Sequence, residues 1–580
     1  MIIDFISGLK VKETPEEVEA VQVYSKILVN DYLYDKKSIQ THPQYRVKVR
    51  PSAKKKEYPI DIAVFDSSTK TEDNLKIIVE CKRKNEKDGL NQLKDYLRFC
   101  SAEIGIWFNG EQKTIIKKFE SKGKVFFEEI PDIPRSGQRI EDIGLFKRKD
   151  LKIPSNLKSL FISIRNYLAG SNVGATRDEF LAQQLINMIF CKIYDEKFTR
   201  QDDTVRFRAG LNEKQADISN RIKQIFSDLK SQYNDVIDEN EKLDLNDKSI
   251  VHIVGALQNF SITNSPRDAI GDAFEVFIGK ALKGGQGQFF TPRNVVKMII
   301  DILDPGIDDK IIDPACGSGG FLIECLRHVW TKVEKRGSKL GWPKSEIEIE
   351  KQKTVIKNFR GIDKDSFLAK VTKVYMAILG DGRGGIFCEN SLDEPKNWSS
   401  KTNNNITLGT FDIVITNPPF GKNINIDGEE LLKQYEFGYK WKFIKKENKW
   451  IKEKLKSKEA PQTLFIERCM ELLKPGGKLG VVLPDGILGN DKLGYIRQHL
   501  LLKSKILAVI DLPIITFMPN TSTKTSVVIL EKTSEAPDLS YEVFMSIPKT
   551  CGHDRRGKEI SDDDIIKVPI EYKKWKKNGK

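Results

Sequence analysis

No apolar run in the 580-residue sequence is long enough to cross a bilayer, which excludes a membrane-spanning helix. The eight cysteines form no Cys-x-x-Cys pair and no Cys/His cluster, so a structural zinc site is not expected and they read as reduced core residues. A Gly-x-x-x-x-Gly-Lys-Ser/Thr phosphate loop is also missing, which argues against a fused ATP-driven translocase. The opening Met1-Ile2-Ile3-Asp4 lacks the basic-then-apolar order of a secretory leader, so a cytoplasmic location is expected. Neither an internal repeat nor a long low-complexity tract interrupts the chain.

What is present is a folded composition, 39% apolar and 31% charged, in a chain longer than one hydrophobic core usually organises. The formal net charge of +14 suits a polyanionic partner, although a lysine-rich solvated surface would give the same figure. The periodicity predicts a small α/β domain over residues 1–150, with alternating stretches at Tyr58 to Phe65 and Lys76 to Lys82 and a helix from Leu90 to Cys100. Residues 151–265 read as a helical connector or docking domain, including Asp178 to Tyr194 and Glu213 to Tyr233. Residues 266–545 carry a strand, glycine turn, helix rhythm, and 546–580 are expected to be a tail whose lysine-rich Tyr572 to Lys577 end is frayed and solvated.

The strongest chemistry lies in the third segment. Lys310 to Ile312 runs into Asp313-Pro314-Ala315-Cys316-Gly317-Ser318-Gly319-Gly320-Phe321, a glycine loop opening a helix whose free N–H groups suit a carboxylate. Its spacing is not that of a dinucleotide fingerprint. Phe359 to Ile362 ends at Asp363, placed to accept hydrogen bonds from ribose hydroxyls. Phe411 to Ile415 ends at Asn417-Pro418-Pro419-Phe420, where two prolines fix a rigid turn at the sheet edge. The amine of adenine is a poor nucleophile because its lone pair is delocalised into the ring. The side-chain carbonyl of Asn417 and the backbone carbonyl of Pro418 can accept its two N–H bonds while Phe420 stacks on the base. Such a pocket requires base flipping.

These segments, in this order, resemble the N6-adenine DNA methyltransferases, in the subgroup of type I restriction-modification modification subunits. The resemblance implies a Rossmann-like fold dependent on S-adenosylmethionine. It places Gly287-Gln288-Phe289-Phe290-Thr291-Pro292 at the methionine part of the cofactor and Asn390-Ser391 at its adenine. Candidate cofactor residues are therefore Gln288, Phe289, Thr291, Pro292, Asp313, Ala315, Gly317, Gly319, Asp363, Asn390 and Ser391. Leu472-Leu473-Lys474-Pro475-Gly476-Gly477 and Lys524-Thr525-Ser526-Val527 also match, the latter in the region flanking the target base.

In the first segment, Asp61 lies in the alternating stretch Ile60-Asp61-Ile62-Ala63-Val64, and Glu80-Cys81-Lys82 ends the next. Alternation puts Glu80 and Lys82 on one face, and a hairpin brings Asp61 beside them. Two carboxylates and a lysine so placed can hold Mg²⁺ and orient a water toward a phosphodiester. Other Glu-x-Lys triplets, such as Glu111-Gln112-Lys113, lack the strand and the upstream aspartate. Gln92 and Tyr96 share a face of the following helix, and Glu19 on an early helix offers another acid. The arrangement resembles the PD-(D/E)xK nuclease domain of type I restriction subunits.

Together these features predict a restriction-modification subunit that methylates adenine N6 in double-stranded DNA and cleaves unmethylated DNA through its N-terminal domain. After Leu530 there is no long domain suited to reading bases, so a separate specificity subunit and a hetero-oligomer are expected. Two alternatives stand beside this reading. The N-terminal domain is a non-catalytic DNA- or partner-binding module, or the methyl acceptor is a glutamine amide or an RNA adenine, since Asn-Pro-Pro-aromatic sites serve those reactions too.

Overall fold

A computed structural model of the chain describes all residues except 49–57, 85, 87, 122, 171–177, 235, 266–290, 380–381, 422–423, 520 and 579–580. The chain forms two compact units, Met1–Ala281 and Leu282–Lys580.

The first unit is built on a six-stranded sheet of β1 (Ile39–Gln40), β2 (Ile62–Phe65), β3 (Leu75–Cys81), β4 (Ile104–Phe108), β5 (Lys113–Ser121) and β6 (Lys124–Glu129). The strands lie side by side in chain order, and among the described residues β3 and β4 are the parallel pair. Period-two alternation sorts the side chains onto two buried faces. Ile62, Val64, Ile77 and Val79 pack with Tyr24 and Leu28 of helix α1 (Gln22–Asn30), whereas Ala63, Phe65 and Ile78 pack with Leu93 and Leu97 of α2 (Leu90–Arg98). The helices α3 (Leu157–Gly170), α4 (Asp178–Phe198), α5 (Gln215–Gln232) and α6 (Asp247–Leu257) belong to this same unit. Buried polar bonds tie them to the sheet region. Asp132 accepts from Tyr32 Oη at 2.5 Å and from Asn259, and Arg135 Nη2 donates to the Asn259 carbonyl at 2.8 Å.

The second unit is an open α/β sheet. In chain order its strands are β7 (Ile311–Asp313), β8 (Phe359–Asp363), β9 (Ile386–Cys388), β10 (Phe411–Thr416), β11 (Leu473–Pro484), β12 (Ser504–Asp511), β13 (Thr525–Lys532) and β14 (Phe544–Ser546). Across the sheet they run β9, β8, β7, β10, β11, β13, β12, β14, all parallel from β9 to β11, with β13 antiparallel to both neighbours. Helices α7 (Arg293–Leu303), α8 (Gly320–Leu340), α9 (Lys344–Asn358), α10 (Ser366–Leu379), α11 (Pro461–Leu472) and α12 (Gly494–Lys503) provide the connections. Strand order reverses between β7 and β10, and the crevice beyond the carboxyl ends of strands at such a reversal is where open α/β sheets bind ligands.

The C-terminal segment is not frayed as expected. It ends in α13 (Val568–Asn578), whose Tyr572 is buried edge-on against Phe544 at 5.4 Å between ring centroids, and Asn294 Nδ2 donates to the Cys551 carbonyl and to Asp563. Aromatic burial outweighs the solvation of the lysines that follow. Seven of the eight cysteines are buried, but Cys388 at the end of β9 is exposed. No helix among the described residues is long and apolar enough to cross a membrane.

Candidate active site

Three strands bring their last residues to the switch point: Asp313 from β7, Asp363 from β8 and, one residue past β10, Asn417. Between them lies the glycine loop. Gly317 and Gly319 have φ of +53° and +85°, which side chains of L-residues rarely adopt. A Cβ on Gly319 would lie 2.9 Å from Thr372 Cγ2, whereas one on Gly317 would meet open space. Gly319 thus fits the loop against α10, and Gly317 leaves a bare backbone cradle. The loop is fixed from below by Gly317 N–H donating to Asp363 Oδ2 (2.8 Å), Thr372 Oγ1 donating to the Gly317 carbonyl (2.7 Å) and Cys316 N–H donating to the Ile362 carbonyl (2.9 Å). The first backbone bond of α8 runs from Ile323 N–H to the Gly319 carbonyl, so the preceding N–H groups of the helix point into the crevice.

Asp313 is almost wholly buried, accepts the Ala315 N–H at 3.0 Å, and is pushed up to about 7, chiefly by burial and further by the negative charge of Asp363. Burial also raises Asp363, against the lowering effect of the N–H groups of Asp365 and Gly317 on its two oxygens. Each oxygen keeps a lone pair for a further donor. Ser391 Oγ donates to the Pro314 carbonyl and so locks the β9 turn onto the glycine loop. Asn390 is held by its own turn, its Nδ2 donating to Asp393 Oδ1 (2.8 Å) and its Oδ1 accepting the Leu392 N–H (3.2 Å), which leaves one N–H and one oxygen lone pair for a further partner. Thr291, with Pro292 capping α7, reaches Asn417, while Gln288 and Phe289 lie outside the described residues.

At the Asn-Pro-Pro-Phe turn, Asn417 Nδ2 donates to Thr291 Oγ1 at 3.0 Å, which fixes the amide plane. Its Oδ1 is buried with no hydrogen-bond partner among the described residues. An unsatisfied buried carbonyl costs about 1–3 kcal/mol, so this oxygen is poised to accept a hydrogen bond that the described residues do not supply. Pro418 is buried and Pro419 half-buried. Phe420 is only 1% exposed and sits edge-on to Phe517 at 6.0 Å, so stacking on a base would require its ring to be uncovered. Phe517 carried no readable sequence signal. Nearby, Ser526 Oγ donates to Asp485 Oδ1 at 2.8 Å, and Lys524 Nζ donates to the Leu512 carbonyl at 2.5 Å and pairs with Asp511.

In the first unit, Asp61, Glu80 and Lys82 come together. Asp61 Oδ2 accepts the Cys81 N–H at 2.7 Å and Oδ1 accepts Gln44 Nε2 at 3.1 Å, while Lys82 Nζ donates to Glu80 Oε1 at 2.5 Å. Burial and the facing charge of Glu80 push Asp61 up to about 7, and burial raises Glu80 as well. Gln92 Nε2 donates to Tyr96 Oη at 2.5 Å on the α2 face. Glu16 adds negative charge at both carboxylates, and Glu19 Oε2 accepts the Lys84 N–H at 3.4 Å. The early helix opens with a π-helical turn at Glu17–Val21, which a regular helical reading does not anticipate.

The sequence profile described as N-6 DNA Methylase matches residues 265–580, more than half of the chain. The chain belongs to the N-6 DNA methylase family. Residues 15–134 match a second profile, described as the type I restriction enzyme R protein N terminus. Among relatives of this N-6 DNA methylase family chain, the type I restriction enzyme EcoEI methylase subunit of Escherichia coli is 26% identical over 316 residues, covering 54% of this chain and 54% of that protein. The StySPI methylase subunit of Salmonella potsdam is 25% identical over 380 residues, covering 62% of each. The chain therefore spans about half to three-fifths of the length of these relatives. A solved type I restriction-modification system methyltransferase subunit from Streptococcus thermophilus is 18% identical with a TM-score of 0.49, over 72% of this chain and 92% of that one.

Proposed function

We propose that the chain transfers a methyl group from S-adenosylmethionine to the N6 of adenine in double-stranded DNA, as the modification subunit of a restriction-modification assembly with a separate specificity subunit. The observation that carries this reading is the Oδ1 of Asn417, buried with no partner among the described residues and held in place by Thr291 at the carboxyl end of β10. An incoming amine satisfies that oxygen and, with the Pro418 carbonyl, is held with its lone pair out of conjugation with the ring. When bound, the cofactor supplies an electrophilic methyl group on a sulfonium. The chain supplies the fit: Gly317 leaves room, the N-terminus of α8 presents N–H groups, and Asp363 and Asp313 offer carboxylate oxygens to hydroxyl and cationic groups. Adenine paired in a duplex cannot reach Asn417, so the base must swing out. The relatives are named type I methylase subunits, which supports DNA as acceptor and assembly with partners. Cofactor tritiated on its methyl group, incubated with the chain, duplex DNA, RNA and protein fractions, tests the acceptor; label found only in RNA or protein rejects it.

For the first unit, the convergence of Asp61, Glu80 and Lys82 favours a nuclease over an inert docking module. Asp61 and Glu80 repel one another in a buried setting, which is the condition a divalent cation relieves. They are the residues that would hold Mg²⁺, and Lys82 already pairs with Glu80. When bound, the ion would neutralise charge at a scissile phosphate. Unmethylated site-bearing DNA with Mg²⁺ and the specificity partner should be cut by the wild-type chain and spared by Asp61→Ala and Glu80→Ala. DNA left intact while methylation proceeds would return the domain to a binding role.

A further inference from the structure

Between β10 and α11 the chain inserts residues 421–460, in which Tyr439–Ile444 and Lys449–Leu455 form an antiparallel hairpin. From Tyr439 to Lys458 there are nine lysines against two glutamates, interleaved with Tyr439, Trp441, Phe443 and Trp450. The pairings Trp441 with Lys452 and Phe443 with Trp450 put the large aromatics on one face. That face is anchored. Trp441 stacks on Tyr495 of α12 with centroids 5.7 Å apart and planes at 6°, and Trp450 meets the same ring edge-on at 5.7 Å. Glycine opens α12 at position 494 because a Cβ there would lie 2.8 Å from Trp450 Cζ2.

The root of the insertion is equally fixed. Tyr435 Oη donates to the Leu392 carbonyl at 2.7 Å, next to Asn390 and Ser391, and Glu467 accepts the N–H groups of Glu436 and Phe437 at 2.8 and 3.0 Å. The hairpin is thus held at its base by the turn that borders the candidate cofactor site. Its other face and its turn are exposed and basic. Lys449 pairs with Glu447 (2.5 Å) and Lys452 with Glu436 (3.1 Å), whereas Lys440, Lys442, Lys445 and Lys446 make no ion pair among the described residues. Like charges held this close on an ordered scaffold repel, and a polyanion relieves the repulsion while releasing its own counterions.

Resting on the reading that DNA is the methyl acceptor, we propose that this hairpin grips the phosphate backbone of the duplex beside the flipped adenine. Lysine suits the role: it binds phosphate as a point charge and carries no base preference, leaving sequence choice to another component. The test is the salt dependence of binding of the full chain to a fluorescent random-sequence duplex, measured by anisotropy. The fourfold variant Lys440→Ala, Lys442→Ala, Lys445→Ala, Lys446→Ala is compared with Lys335→Ala, Lys339→Ala, Lys344→Ala, Lys357→Ala, which removes the same charge from exposed positions on α8 and α9. The slope of log K against log salt should fall by about 0.9 per lost contact, about 3.6 in all, for the hairpin variant and little for the control. Cofactor binding should be the same in all three proteins. Equal slopes in the two variants, with DNA methylation intact in the wild type, overturn the hairpin proposal alone. A wild-type chain that methylates no DNA overturns the acceptor reading and the hairpin proposal with it.

Discussion

Replacing Asn417 by alanine should move activity and stability in different directions. Among the described residues the wild-type amide makes one hydrogen bond, to Thr291, and leaves Oδ1 buried without a partner. Deleting it loses a bond worth about 0.5–1.5 kcal/mol and removes an unsatisfied acceptor that costs about 1–3 kcal/mol, so folding should be unchanged or slightly favoured. In the reaction the same oxygen holds charge that develops on the amine. Removal of one such preorganised group typically costs about 2.7–4 kcal/mol, a factor of about 100 to 1,000 in kcat. Single-turnover label transfer at saturating cofactor gives the rate, and the thermal midpoint together with the cofactor Kd gives the integrity of the fold. A variant destabilised by more than about 2 kcal/mol that still transfers methyl groups at the wild-type rate would show Oδ1 to be a structural group and refute the reasoning.

Three further outcomes are expected. Because Asp313 is held near 7 by burial, it carries its proton in the folded protein at pH values where the unfolded chain has released it, so its contribution to folding weakens as pH rises from about 4 to about 7. The cationic cofactor prefers the ionised form, so its Kd should fall by up to about tenfold per pH unit below 7 and level off above it; a profile equally flat in the wild type and Asp313→Asn would contradict this. Gly317→Ala places a methyl group in the open cradle on a backbone with φ of +53°, at a conformational cost of about 1–2 kcal/mol, and calorimetry should show cofactor binding weakened at least about tenfold. Gly494→Ala should force Trp450 off Tyr495, and loss of the Trp450 fluorescence environment without loss of cofactor binding would report detachment of the hairpin; an unchanged spectrum would show that the contact yields easily.

The strand ends were legible because each is a short apolar run closing on a polar residue, and an open parallel sheet has few ways to arrange such runs. Asp313, Asp363 and Asn417 meet where the reading placed them. What the sequence hid are bonds that depend on partners distant in the chain. Phe420 is covered by Phe517, which no local pattern marks. Asn390 looks free on paper but satisfies its own turn through Leu392 and Asp393. The helical region reads as separate, yet Asn259 and Asp132 bury a polar bond that joins it to the N-terminal sheet. Glu16, at the start of the π-helical turn Glu17–Val21, adds negative charge near Asp61 and Glu80, which a regular helical reading does not single out. The basic hairpin escaped notice because alternate lysines resemble an ordinary solvated surface until Tyr495 is seen beneath its tryptophans.

The most direct test is chemical identification of the product. Duplex DNA treated with the chain, its specificity partner and methyl-labelled cofactor should, after enzymatic digestion to nucleosides, place the label in N6-methyladenine, and Asn417→Ala should abolish that peak while cofactor binding persists. Label in another nucleoside or only in protein, or an N6-methyladenine peak that survives Asn417→Ala, would contradict the account.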